Sequence, residues 1–295
     1  MRVTFRAIDD GLAAITTAAG QFAKAQHQVA TGQRMRTVSD DPGAALRVVE
    51  GKTEIGAIDS YTRSADTALS RIVVMDTVMS SIVDKITDGQ RIIAKARGNT
   101  ADTPARLAMA AEIQGVRDGL LSDVNTAFRG TYLFGGGEAK QTPYVDIAGT
   151  WIYQGDGSAV TVDIGKGRSA TIAISAESIT KGLDPDDIFK VLDDMVAAVQ
   201  APDEAALAAG MDALTRMFDR AVRAQSVVGV DEAAIEEEKQ RLTDLRLASL
   251  QRVSVDEDVN VAVAITEMNQ ADTAYRAALQ AVGASSKVSL LDYLR

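Results

Sequence analysis

Hydrophobic residues recur at alternating steps of three and four near both ends of the chain. The N-terminal repeat consists of Phe5, Ile8, Leu12, Ile15, Ala19, Phe22, Gln26 and Val29. The C-terminal repeat consists of Ile265, Met268, Asp272, Tyr275, Leu279 and Val282. This spacing predicts a helix with a single coiled-coil seam at each end. Because such a helix is not stable alone in water, each end needs a partner, and the simplest partner is the other end.

Charge and composition exclude several function classes. The 295 residues carry a net charge of −10, which argues against nucleic acid or an anionic membrane as the partner. The sequence has no cysteine, so it holds neither disulfides nor thiolate metal sites. The N-terminus lacks the basic region and apolar run of a Sec signal, and no apolar run reaches the length of a membrane span. We therefore expect any export to use another route.

The central sequence predicts long helices on both sides of a β segment. Asp41 and Pro42 open a second helix that runs to about Arg97, and a third helix ends near Arg129. Helical periodicity resumes at Asp184 and continues, with a pause at Pro202, to about Gln251. Ser254, with Glu257 three residues later, is typical of the start of the last helix.

Residues 131–182 are instead rich in glycine and β-forming residues. Gly155-Asp156-Gly157 and Gly165-Lys166-Gly167 separate three short alternating runs and predict hairpin turns. The fold class predicted is mainly α: an elongated coiled-coil and helical-bundle rod with nested N- and C-terminal helices and a small inserted β domain. The predicted domains are 1–32 with 260–295, 33–140 with 182–259, and 141–181.

Two sequence blocks carry a family resemblance. Gln-Val-Ala-Thr-Gly-Gln-Arg at 28–34, followed by Ser-Asp-Asp-Pro-Gly-Ala-Ala at 39–45, resembles the N-terminal signature of the flagellin superfamily. Gly-Thr-Tyr-Leu-Phe-Gly-Gly at 130–136, Thr-Pro-Tyr at 142–144, Tyr-Gln-Gly-Asp at 153–156 and Ser-Leu-Leu-Asp-Tyr-Leu at 289–294 are similar to the hook-associated protein 3 branch of that superfamily. Residues 2–6 depart from the expected pattern because they lack a Ser-Thr pair.

The resemblance implies a structural role without catalysis or cofactor. It implies a ring of identical subunits between hook-associated protein 1 and flagellin, outside the cell, exported by the flagellar type III apparatus without a cleaved signal and with an export chaperone beforehand. We expect the end helices to form the assembly interface through Phe5, Ile8, Leu12, Ile15, Phe22, Val29, Ile265, Met268, Tyr275, Leu279, Val282, Leu290, Leu291 and Leu294.

The sequence gives weaker support to other kinds of site and function. Acidic residues from Asp256 to Glu267 partly fit a calcium loop, but the position that requires glycine is Val261. His27 is the only histidine, and Gly135-Gly136-Gly137 lacks the phosphate-loop spacing. The rival functions are flagellin itself, a soluble coiled-coil adaptor and a cell-wall hydrolase; no carboxylate pair in the β region favours the hydrolase.

Overall fold

The computed structural model describes residues 2–98 and 102–293, and the side chains of residues 9–98 and 102–284. The helices are α1 Arg2–Thr31, α2 Pro42–Arg97, α3 Thr103–Val124, α4 Ala176–Thr180, α5 Ile188–Gln200, α6 Glu204–Glu257 and α7 Val261–Tyr293. The strands are β1 Ala127–Phe128, β2 Thr131–Tyr132, β3 Tyr144–Ile147, β4 Thr150–Tyr153, β5 Val160–Gly165 and β6 Arg168–Ala173. The mainly α fold class with a small β segment is confirmed.

Local chemistry explains where the first two long helices end and begin. Gly32 follows α1 with a φ of +73°, and its N–H donates to the Gln28 carbonyl at 2.9 Å, as in a helix ended by a left-handed residue. The Asp41 carboxylate accepts from the Ala44 N–H at 3.0 Å, and Pro42 occupies the first turn of α2. These two predictions are confirmed.

Two other helix boundaries differ from the sequence prediction. The third helix ends at Val124 and not near Arg129, because residues 127–132 turn back as the β1–β2 hairpin. The last helix is capped by Asn260, whose side-chain oxygen accepts from the Ala262 N–H at 3.1 Å. The Ser254 cluster instead lies within the last turn of α6.

The β segment consists of three separate two-stranded antiparallel sheets, β1–β2, β3–β4 and β5–β6. The predicted turn around Lys166 and Gly167 is correct, since it joins β5 to β6. The predicted turn at 155–157 is wrong, because that segment links two sheets that do not pair. The β3–β4 turn is formed by Ala148 and Gly149, both with positive φ, which is a hairpin geometry normally marked by Asn-Gly.

Two compact units divide the chain, residues 58–243 and residues 1–57 with 244–295, and α2 and α6 contribute to both. In the 58–243 unit, one buried cluster includes the α2 stripe with Ile72, Met79 and Ile86. Tyr144 of β3 belongs to the same cluster and packs edge-on against Phe189 of α5, with ring centroids 4.8 Å apart. The β segment thus shares its core with the helices, while the domain boundaries predicted from the sequence stay a prediction.

None of the described helices combines the length and the apolar character needed to cross a lipid bilayer.

Candidate assembly surface

Helices α1 and α7 pack against each other antiparallel. The Phe22 and Tyr275 rings stack with centroids 6.3 Å apart and planes within 5° of parallel. Farther along the pair, a Cβ built on Gly11 would lie only 2.7 Å from a methyl carbon of Val282. The predicted pairing of the two ends therefore occurs within one chain.

Small residues occupy every second position of the contact between the two helices. Its heptad positions in α1 are Gly11, Ile15, Ala18, Phe22, Ala25 and Val29, and in α7 they are Ala264, Met268, Ala271, Tyr275, Ala278 and Val282. The alanines at 18, 25, 264 and 271 are buried. Such short side chains let the two helix axes approach closely, and the larger residues alternate with them as knobs.

The register of this contact differs from the predicted one. Ile15, Phe22 and Val29 of α1 and Met268, Tyr275 and Val282 of α7 lie along it, half-buried. Leu12, Ile265 and Leu279 lie on other faces and are 58%, 41% and 43% exposed. The physical reason is that two heptad stripes share the same large residues, and the buried stripe is completed by glycine and alanine.

Five further predicted interface residues cannot be placed as side chains. Phe5 and Ile8 lie in α1 and Leu290 and Leu291 in α7, with side chains outside the described residues. Leu294 lies outside the described residues altogether.

Backbone hydrogen bonds and an ion pair connect the residues that follow α1 to the residues around the end of α6. The Arg34 N–H donates to the Glu257 carbonyl at 2.7 Å, and the Val259 N–H donates to the Gly32 carbonyl at 2.8 Å. Arg47 pairs with Asp256 at 2.6 Å, and its guanidinium holds the pKa of that carboxyl below its usual range. Asp256 is thus engaged by an arginine, as a helix-end carboxylate and not as part of a calcium loop.

The glycine triplet at 135–137 makes close contacts with Asp156 of the same chain. The Gly137 N–H donates to the Asp156 carboxylate at 2.5 Å, which lowers the pKa of Asp156. Gly136 has a φ of +63°, and a Cβ on it would clash with the Asp156 carbonyl oxygen. The glycines at 136 and 137 therefore permit close backbone approach, and an aspartate lies where a phosphate would have to bind.

Exposed apolar side chains are concentrated in the unit formed by residues 1–57 and 244–295. Among the described side chains, twenty large hydrophobic ones are exposed, and twelve of these lie in this unit. The unit contains only about a third of all described side chains, so exposed hydrophobic residues are enriched in it. Sequence reasoning missed most of the twelve, including Leu46, Val49, Leu247, Val255, Val261 and Val263. The sequence did contain a signal for two of them. Positions 46 and 49 of α2 are apolar and lie on a different face from the buried positions 44, 45 and 48. Where such exposed residues form a contiguous patch, they mark interaction sites.

Comparisons with known proteins agree with this geometry. The family model described as the bacterial flagellin N-terminal helical region matches residues 11–139. Flagellar hook-associated protein 3 of Escherichia coli K12 is 26% identical over 292 residues, which cover 90% of this chain and 91% of that protein.

The chain is therefore similar to proteins of the flagellin superfamily.

Solved structures of flagellar proteins share the fold of this chain. FlgL of Xanthomonas campestris superposes with a TM-score of 0.63 at 14% identity, covering 69% of this chain and 99% of that one. The flagellar junction protein FlgL of Legionella pneumophila superposes with a TM-score of 0.60 at 12% identity, covering 72% of this chain and 100% of that one. The segment matched by the superfamily model comprises most of α1, all of α2 and α3, and the β1–β2 hairpin.

Proposed function

We propose that this chain is the subunit of the junction between the flagellar hook and the filament. Copies would pack side by side into a ring, with hook-associated protein 1 on one side and flagellin on the other. The observation that carries the proposal is the similarity to hook-associated protein 3 over nine-tenths of the chain.

The exposed apolar residues support a packing role for the unit that contains both ends. Leu12, Ile265 and Leu279 are not used by the α1–α7 contact, so they are available to neighbouring subunits. A heterologous contact of this kind closes into a ring or continues as a helical array, depending on the rotation between subunits.

The filament subunit itself is the rival within the superfamily, and assembly behaviour separates the two. Flagellin repeats its own contacts without limit, whereas a junction subunit meets different neighbours above and below. We expect the purified chain to stay monomeric or form short oligomers at high concentration, even when seeded with filament fragments. Long filaments grown from this chain alone would show that it is a flagellin.

We further infer export through the flagellar type III apparatus, with a chaperone before secretion, because the superfamily resemblance implies this route. Secretion of the chain into the medium should stop in cells without a functional flagellar export gate. Secretion that continues in such cells would contradict this part of the proposal.

A further inference from the structure

A groove of about 440 Å³ lies between α2 and the hairpins β1–β2 and β5–β6, within the 58–243 unit. Phe128, Val162 and Ile172 form its apolar part. Three arginines line it as well, Arg63 and Arg71 from α2 and Arg129 from the β1–β2 turn. No carboxylate is among the residues that line it.

Arg71 is a buried cation that has no anionic partner among the residues that the structure describes. Its side chain donates to the Ile172 carbonyl, the Thr131 hydroxyl and the Tyr132 carbonyl at 2.5, 2.7 and 2.7 Å, and all three acceptors are neutral. Only 8% of the residue is exposed, and burial lowers its pKa. Of the five N–H groups of a guanidinium, two remain for another acceptor. Buried charges in proteins are usually paired with an opposite charge, whereas the three partners of Arg71 are neutral.

Arg129 reaches the groove from a backbone conformation that arginine rarely adopts. Its φ is +50° and that of Gly130 is +80°, the turn geometry that favours Asn-Gly. The guanidinium lies 5.3 Å from the centroid of the Phe128 ring. Because Ala148 occupies the same position in the β3–β4 turn, the turn itself does not require an arginine. The turn therefore does not explain the arginine at 129, and we expect its side chain to have a role of its own.

The rest of the unit is acidic, and its arginines are commonly paired. Residues 58–243 contain 19 Lys and Arg against 28 Asp and Glu. Arg220 pairs with Asp184 and Arg241 with Glu238, whereas neither Arg63 nor Arg129 has a carboxylate within 4.0 Å among the described residues. The groove is thus a cationic site on an acidic body, which makes copies of this chain complementary to one another in charge.

We propose that this groove binds the carboxylate side chains of an acidic segment of a second copy of this chain. Arginine guanidinium groups pair with carboxylates through two parallel hydrogen bonds, and the apolar part of the groove suits the methylene groups of glutamate. The choice of a second copy as the occupant rests on the proposed ring, but the carboxylate chemistry does not.

The first test measures carboxylate binding to the monomer and needs no assembly. A pentaglutamate peptide is titrated into the full chain at low salt, with binding followed by calorimetry. The test variant is Arg63→Gln/Arg129→Asn, in which asparagine suits the positive φ at 129. The control is Arg91→Gln/Arg223→Gln, which removes two exposed charges outside the groove.

We expect the wild type and the control to bind equally. The groove variant should bind about a hundredfold more weakly, about tenfold for each arginine removed. Absence of peptide binding, or equal binding by the groove variant, would overturn the carboxylate site whether or not the chain forms the junction.

The second test identifies the occupant by cross-linking. The chain has no cysteine, so Thr67→Cys at the groove gives one attachment point for a photoreactive label. Concentrated mixtures of light and heavy isotope-labelled protein should give cross-links between copies, to peptides rich in Asp and Glu, and the Arg63→Gln/Arg129→Asn variant should lose them. Peptide binding without such cross-links would overturn the second copy as the occupant. The junction role would still be tested separately, by electron microscopy of cells that lack this chain.

Discussion

Leu12→Asp and Leu279→Asp should block assembly and leave the isolated chain folded. The two leucines are 58% and 43% exposed and lie off the α1–α7 contact, so the monomer loses little packing. Substitutions at such surface positions usually change the free energy of unfolding by about 0.5 kcal/mol, and the lower helix propensity of aspartate adds a similar amount.

The expected cost arises when copies pack together. Full burial of a leucine side chain is worth about 1.5–3 kcal/mol, and about half of that is still available at each of these positions. Burying an unpaired carboxylate in the same contact adds several kcal/mol. The sum of about 3–5 kcal/mol for each contact corresponds to at least a hundredfold weaker association.

Complementation of a strain that lacks the chain measures the assembly effect, and circular dichroism measures the fold. The control is Ala14→Asp, which introduces the same carboxylate at an exposed position of α1, about 200° around the helix from Leu12. We expect the control to restore filaments and both leucine variants to fail, with thermal transitions like that of the wild type. Normal filaments from the leucine variants would refute the reasoning, as would loss of the transition of the central unit.

Three further predictions concern stability. Glu238 has no exposed surface, and the Arg241 guanidinium beside it holds the pKa of this carboxyl below its usual value of 4.5. The ionised carboxylate therefore stabilises the fold at neutral pH, and this stabilisation is lost as the pH falls from 4.5 through the lowered pKa of the folded state. Glu238→Gln should therefore lower the free energy of unfolding by about 1–2 kcal/mol at pH 7 in urea titrations, and a difference that persists undiminished at pH 3 would contradict this. Deletion of 141–181 should lower the melting temperature and helix content of the central unit, because the segment supplies part of its core; an unchanged melting curve would show a separable domain. Amides of α1 and α7 should exchange hydrogen faster than those of the buried part of α2, because only a thin, alanine-rich contact protects them; equal protection in the monomer would argue against ends that gain stability on assembly.

The helix starts could be predicted from the sequence because they depend on local chemistry. The Asp41-Pro42 pair caps α2 as expected, and Gly32 ends α1. The end of α3 could not be predicted, since a hydrophobic pattern continues through Phe128 and only the β1–β2 pairing reveals the turn. The turn at 148–149 was missed because alanine gives no signal for positive φ.

The contact between α1 and α7 was predicted only in part, and the assembly interface stays a prediction. Hydrophobicity selects the largest residues on α1, and Leu12 ranks above Gly11 and Ala18 by that measure. In the structure the closest helix contact is made where the side chains are smallest, so the glycine and alanine positions are buried and Leu12 is left exposed. The sequence pattern identified the two helices that pair, and their packing distance decides which stripe faces inward.

The hook–filament junction is tested most directly by electron microscopy of cells that lack this chain. The proposed function predicts basal bodies with hooks but without filaments, and flagellin shed into the medium, with filaments restored by the wild-type gene. Filaments of normal length on the mutant cells would contradict the junction role.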